Sequence, residues 1–297
     1  MTGLLERLGR GETLVGDGAW GTILMGRGLR PGSPPESFVL AHPEVLEEIA
    51  IQYLEAGADL ITTNTFGASP LALQAHGLDN RTEEINRGAV FALRRVRERG
   101  AYVSASVGPT GRLLKPHGDT EPEQIRAAFD RQVRGLLEGG PDLICIETMT
   151  DLTEATLAVS VAKALAPELP VVATMTFDST PRGFFTIMGV PLRRAAERLA
   201  EAGADVVGSN CGNGIEVMVR IAAEFRSLTR LPIAVQANAG LPENRGGMVV
   251  YPETPEFVAE KAAALLDLGV SIIGGCCGTT PEHIRALRRL VDGRRPS

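Results

Sequence analysis

The chain alternates short apolar runs with longer amphipathic stretches, and one phrase recurs along it. It reads EAGADLITTN from Glu55, EGGPDLICIE from Glu138, EAGADVVGSN from Glu201 and DLGVSIIGGC from Asp267. Each copy closes a helix-like segment with glycine, which takes the left-handed conformation that ends many helices. The apolar run that follows is too short for an independent helix and suits a strand buried on both faces. The phrase therefore predicts helix, tight turn and parallel strand. Further strands are predicted at Thr13–Asp17, Tyr102–Gly108, Pro170–Phe177 and Pro232–Asn238.

The intervals carry helical signals. From Glu83, the stretch EEINRGAVFALRRVRERG places Ile85, Ala89, Ala92, Leu93 and Val96 near one face. Asp151 and Glu154 stand three apart, the spacing of a capping box. Two stretches open on Thr-Pro-Glu, at Thr254 and Thr280: threonine for the N-cap, proline for the first turn, glutamate for the positive end of the dipole. About eight strand–helix alternations in 297 residues predict an α/β fold, a (β/α)8 (TIM) barrel forming a single domain over residues 1–297. A doubly wound sheet is the runner-up, weakened because no G-x-G-x-x-G follows the first strand. No linker or low-complexity run divides the chain, and DGRRPS at the end reads as a short frayed tail.

Composition narrows the function. A net charge of -6 argues against nucleic acid as a main partner, because phosphate binding needs a basic face. No apolar run is long enough for a membrane span or a signal peptide, so the expected compartment is the reducing cytoplasm, where thiols stay free.

In a barrel of this kind chemistry collects at the C-terminal ends of the strands. Those ends carry Asp17, Asn64, Glu147, Asn210 with Cys211, Asn238, and Cys276 with Cys277. Three of the 4 cysteines are therefore at strand ends; the fourth, Cys145 in LICIE, reads as core packing. Strands six and eight of a barrel can point at one spot, so Cys211 can meet Cys276 and Cys277. Adjacent residues on a regular strand face opposite ways, but Gly274, Gly275 and Gly278 permit the departure that would bring both cysteines round. Three thiolates are a good trap for Zn²⁺ and leave one tetrahedral position open. Such an electron-rich site suits a second soft ligand, a substrate thiol, whose pKa the metal lowers. Alkyl transfer to sulfur is the natural reaction. Other readings of the same residues are plain core packing, a vicinal disulfide, and a structural zinc. The last lacks an evident fourth ligand: His283 falls on the following helix and His42, His76 and His117 in distant loops.

The stretches GDGAWGT at Gly16, TNTFGAS at Thr63, SVGPTG at Ser106, DLICIETM at Asp142, SNCGNG at Ser209, QANAGLP at Gln236 and GGCCGTTPEHI at Gly274 resemble the homocysteine S-methyltransferase family. The nearest flavour is the homocysteine-binding module of cobalamin-dependent methionine synthase, over about Leu14 to Leu290. The resemblance implies a barrel with zinc held by Cys211, Cys276 and Cys277, homocysteine as the thiol and methionine as product. It implies Asp17 and Glu147 near the substrate ammonium, since a buried cation needs a carboxylate. Backbone amides at Gly18 and Ala19 would receive the substrate carboxylate, and Asn238 matches a position able to fill the metal's fourth site. Asp17, Glu147 and Asn238 also have plainer readings, as a turn-former, a helix-dipole anion and a second turn-former. Trp20 departs from the smaller residue often found there and would shape the pocket roof or simply pack.

The methyl donor is left open: a methylcobalamin and methyltetrahydrofolate system, S-methylmethionine, or betaine, the last disfavoured because no aromatic cage is advertised. A corrinoid protein is a possible partner, with the chain then acting as the homocysteine-binding subunit of a split methionine synthase. Another small thiol or a selenol is an alternative acceptor. A metal-free barrel enzyme ranks low, because Lys115, Lys163 and Lys261 fall in predicted loops or helices, away from strand ends.

Overall fold

A computed structural model describes residues 2–30, 32–246 and 248–294; the last three residues of the expected tail lie outside these. Eight parallel strands run in chain order: β1 Leu14–Val15, β2 Leu60–Thr62, β3 Tyr102–Val107, β4 Leu143–Met149, β5 Val171–Met175, β6 Val206–Asn210, β7 Ile233–Ala237 and β8 Ile272–Gly275. Each pairs with its neighbour in sequence. β8 returns to β1 through Leu14↔Ile272 and Val15↔Ile273, and a bridge from Gly16 to Leu60 joins β1 to β2. The ring closes, which leaves no open sheet edge. The helices that follow the strands are α1 Pro43–Glu55, α2 Thr82–Ala92, α3 Pro122–Gly139, α4 Leu152–Leu165, α5 Leu192–Glu201, α6 Ile215–Leu228, α7 Pro255–Asp267 and α8 Pro281–Asp292. The expected (β/α)8 barrel is the observed fold.

The recurrent phrase has a structural meaning at each position. Its glycines, Gly57, Gly140, Gly203 and Gly269, all take positive φ, between 68° and 104°, where a side chain would be strained. Its aspartates stitch the ring. Asp59 accepts the amide of Val15 at 2.9 Å, Asp142 that of Val103 at 2.8 Å and Asp205 that of Val171 at 2.8 Å. Each aspartate stands just before an even-numbered strand and ties it to the odd-numbered strand before it. Asp59 also pairs with Arg288 at 2.9 Å and with Arg7 at 3.4 Å, linking α8 and the N-terminal helix Leu4–Gly9 to the same corner.

Two apolar layers result. Leu14, Leu60, Tyr102, Leu143, Cys145, Val172, Val206, Ala234 and Ile272 fill the barrel interior, and Leu4 and Leu8 plug its lower end. Residues such as Val15, Ile61, Phe129, Val159 and Phe225 pack strands against helices. Truncating one such buried leucine to alanine costs about 2–5 kcal/mol, because the cavity it leaves collapses only partly.

Several elements differ in detail from their expected form. The stretch from Glu83 breaks at Leu93 into α2 and a short helix Arg94–Glu98, yet Ile85, Ala89, Ala92, Leu93 and Val96 are all buried. Asp151 caps α4 through the amides of Thr153 and Glu154, but the Glu154 side chain turns away to hold the amide and hydroxyl of Thr110. Two small hairpins, Asp178–Thr180 with Gly183–Phe185 and Glu243–Arg245 with Met248–Val250, rise from the loops after β5 and β7.

Candidate metal and thiol site

At the C-terminal end of the ring, β6 and β8 deliver three sulfurs to one spot. Cys211 follows β6 with a left-handed backbone, φ 59°, held by its amide on the Gln236 carbonyl at 3.0 Å and by the amide of Asn213 on its own carbonyl at 2.9 Å. Cys276 continues the β7 ladder, donating to the Ala237 carbonyl at 2.7 Å. The chain then turns: the Cys277 amide donates to Asn238 Oδ1 at 3.1 Å, and Thr279 Oγ1 donates to the Cys276 carbonyl at 2.7 Å. Gly278, at φ 78°, carries the turn with the Tyr251 ring lying where a Cβ would stand. This is how two neighbouring cysteines come to face one point.

The three Sγ atoms lie within 4.8 Å of one another, and Cys211 and Cys277 are 3.8 Å apart. A tetrahedral zinc with Zn–S bonds of about 2.3 Å demands sulfur–sulfur edges of about 3.8 Å. The donor set and the spacing both fit that ion. Cys277 carries negative charge most readily, its thiol pushed down to about 3 by hydrogen bonds from Cys211 and Cys276. The Cys276 thiol is pushed well up by the same contacts with Cys211 and Cys277 and by burial. Cys145 is 5% exposed inside the barrel and belongs to the core. His283 is spoken for: its Nδ1 accepts the Thr280 amide at 3.1 Å, so Nε2 carries the proton and donates to the Glu253 carbonyl at 3.0 Å. Among the described residues, the three cysteines are the one group of His, Cys, Asp and Glu close enough to hold a metal.

Two carboxyl groups lie at this end of the ring, Glu147 near Cys211 and Asp17 near Glu147. Asp17 is 2% exposed, and its oxygens are occupied by the Thr62 amide, the Thr62 hydroxyl and the Trp20 indole, each at 2.8 Å. Burial pushes its pKa up to about 6 against those bonds. Glu147, half-buried at the end of β4, is pushed up to about 7, first by burial and further by the nearby Asp17 and Cys211, while a bond from Ser106 Oγ pulls the other way. Of the two, Glu147 has the accessible surface to meet a ligand. The Ala19 amide is engaged by Thr279, with Oγ1 at 3.2 Å and the carbonyl at 3.3 Å. Gly18 packs so tightly that a Cβ would meet Thr279 Oγ1 at 2.7 Å. Asn238 is buried and gives its Oδ1 to the Cys277 turn.

Three residues gain a place that strand-end position alone does not give. Trp20 caps Asp17. Asn210, beneath the sulfurs, bonds to Thr148 and Thr174. Thr148, next to Glu147, has φ 57°, a rare conformation for a β-branched residue. For Asn210 the sequence signals are its strand-end position and its place before Cys211 in GSNCGNG; for Thr148 there is none.

Fold and site together define a (β/α)8 barrel whose catalytic end carries three sulfurs in the triangle of a thiolate metal centre. The homocysteine S-methyltransferase profile matches residues 14–291. The chain belongs to the homocysteine S-methyltransferase family. It is 33% identical to a methionine synthase of Mycobacterium leprae over 99% of its own length and 34% identical to one of Mycobacterium tuberculosis over 98%. It spans about a quarter of the length of those relatives, 26% and 25%. Among solved structures it resembles the homocysteine methyltransferase MmuM of Escherichia coli. The metallated form gives a TM-score of 0.80 at 26% identity, covering 96% of this chain and 99% of that one. The oxidized form gives 0.77 at 26% identity, covering 93% and 95%.

Proposed function

We propose that this chain moves a methyl group onto the sulfur of homocysteine to give methionine. The observation that supports it most directly is the triangle of Cys211, Cys276 and Cys277 set beside Glu147 at the barrel mouth. Zinc held by the three sulfurs would supply a Lewis acid with one open position for a thiol, lowering that thiol's pKa to near neutrality. The rest falls to the chain itself. Glu147 pairs with the substrate ammonium, and Asp17, held by Thr62 and Trp20, adds a second negative charge behind it. Ionised, the pair gives the pocket an anionic wall that attracts an amino acid's cationic end. Asn238 and Thr279 hold the Cys276–Cys277 turn so that the sulfurs need no reorganisation during the reaction. The thiol gives its proton to solvent at the barrel mouth, the sulfur lone pair forms the new S–CH3 bond, and the electron pair of the broken bond leaves with the donor. The protein's main contribution is alignment of acceptor and methyl.

The donor has two readings. The 33% and 34% identity to methionine synthases favours a methylated corrinoid protein or domain as the source. The likeness to MmuM along its whole length favours a small free donor. The test combines metal analysis of the purified chain with methionine formation from homocysteine, using methylcobalamin, S-methylmethionine and betaine in turn. Methionine formed with one donor and zinc near one per chain is the expected result. Absence of zinc and of methionine with all three donors would refute the proposal.

A further inference from the structure

Glu147 and the sulfurs sit on different strands, and one buried side chain spans them. Asn210, at the end of β6, has no exposed surface. Its Oδ1 accepts the Thr148 amide at 2.7 Å and the Thr174 hydroxyl at 2.8 Å. An amide N–H can only donate, so the atom facing it must be the oxygen, and the orientation of the side chain is fixed. Nδ2 then donates one proton to Thr148 Oγ1 at 2.7 Å. Its other proton faces Glu147 Oε2 at 3.5 Å and Cys276 Sγ at 3.9 Å. A single nitrogen therefore touches the proposed ammonium partner and one of the proposed metal ligands.

The backbone around it is held off its ordinary course. Thr148 and Cys211 are the two non-glycine residues with positive φ among those described, at 57° and 59°. A left-handed threonine costs about 1–2 kcal/mol, and such strain persists only where the surroundings enforce it. Asn210 enforces it twice over, bonding both the amide and the hydroxyl of Thr148, and its own carbonyl accepts Thr176 Oγ1 at 2.9 Å just before Cys211. The turn that aims Glu147 and the turn that aims Cys211 are thus set by one residue.

We propose that Asn210 is a positioning residue that fixes the separation between Glu147 and the sulfur cluster, and so makes the site select the amino thiol whose chain spans that gap. A gap set for homocysteine leaves cysteine, one methylene shorter, unable to reach both ends. The inference rests on the reading that Glu147 takes the ammonium and the cluster takes the thiol. Two anchors at a rigid distance measure length, whereas an anchor free to drift accepts the shorter ligand. One methylene is worth roughly 10–200-fold in discrimination at a shaped site.

The test loads the full chain with Co²⁺ and follows sulfur-to-cobalt charge-transfer absorption while titrating homocysteine and, separately, cysteine. It therefore reads binding without turnover. The wild-type chain is expected to bind homocysteine at least about tenfold more tightly than cysteine. Asn210→Ala and the near-isosteric Asn210→Asp should each bring that ratio close to one while still holding cobalt at one per chain. Asn210→Asp keeps the acceptor for Thr148 and Thr174 but loses both protons and sets a negative charge beside Glu147. If Asn210→Ala fails to fold, Asn210→Asp alone decides. A wild-type ratio preserved in a folded variant overturns the proposal and leaves the methyltransfer reading standing. A wild-type spectrum indifferent to homocysteine overturns both.

Discussion

Trp20 donates its indole N–H to Asp17 at 2.8 Å, and Asp17 in turn holds both the amide and the hydroxyl of Thr62. Trp20 is therefore a hydrogen-bond donor to a buried carboxylate. Trp20→Phe keeps the ring and removes the donor. It should lower stability by about 1–3 kcal/mol, the worth of one hydrogen bond to a buried carboxylate, read as a shift in the urea midpoint by circular dichroism. It should also move the Asp17 pKa above about 6, since the lost bond is one that holds it down. An unchanged midpoint would show that the bond contributes nothing.

Cys276→Ala removes one corner of the triangle. Zinc per chain, measured by atomic emission after dialysis, should fall from near one to near zero, and methionine formation should fall with it. Chelation of the wild-type chain should give the same loss, reversed by added zinc. Full activity in the variant without metal would contradict the assignment.

Glu147 gives a prediction with a sign in pH. Its pKa stands at about 7, raised above the usual 4.5 chiefly by burial. Only its charged form pairs with an ammonium, so homocysteine affinity should rise as pH climbs through 7. Glu147→Gln should flatten that dependence and lower kcat/KM by about 10–100-fold, the worth of a charge-assisted bond. Folding runs the opposite way. A folded-state pKa above the unfolded one means stabilisation fully present below about 4.5 and lost as pH rises through 7. The variant should thus gain in Tm relative to wild type at pH 8 more than at pH 5. A pH-independent difference would remove Glu147 as the titrating group.

At the other end of the barrel, Asp59 joins β1, α8 and the N-terminal helix through Val15, Arg288 and Arg7. Asp59→Ala leaves the Val15 amide without its acceptor and takes one carboxylate from each arginine, Arg7 keeping Glu12 and Arg288 keeping Asp292. A loss of about 1–3 kcal/mol, chiefly the unpaired amide, is expected in denaturant unfolding, with kcat/KM per folded molecule unchanged. A matching loss in kcat/KM would mean that this face communicates with the mouth.

The frame was legible because its signals are local. Gly57, Gly140, Gly203 and Gly269 announce their turns in the letters around them, and the Asp two residues on in three copies turns out to be the tie to the strand before. The cysteines were legible because a pair in a glycine-rich turn has little use as packing. What escaped depends on partners far away in sequence. Asn210 and Thr148 stand 62 residues apart, and neither letter advertises the left-handed backbone that their contact imposes. The Ala19 amide has the right address for a ligand, yet its partner is Thr279, 260 residues downstream. The hairpins after β5 and β7 escaped because strands of three residues leave no periodicity to read.

The seam where β8 returns to β1 also runs through the site. Gly275 donates to the Asp17 carbonyl at 2.8 Å, and Thr279 takes the amide of Ala19. A ribosome-bound chain that has emerged only as far as β7 owns one of the three sulfurs and half of this stitching. Capture of an ion by the three sulfurs would then wait for the final strand to dock, so a held ion would certify that the ring has shut.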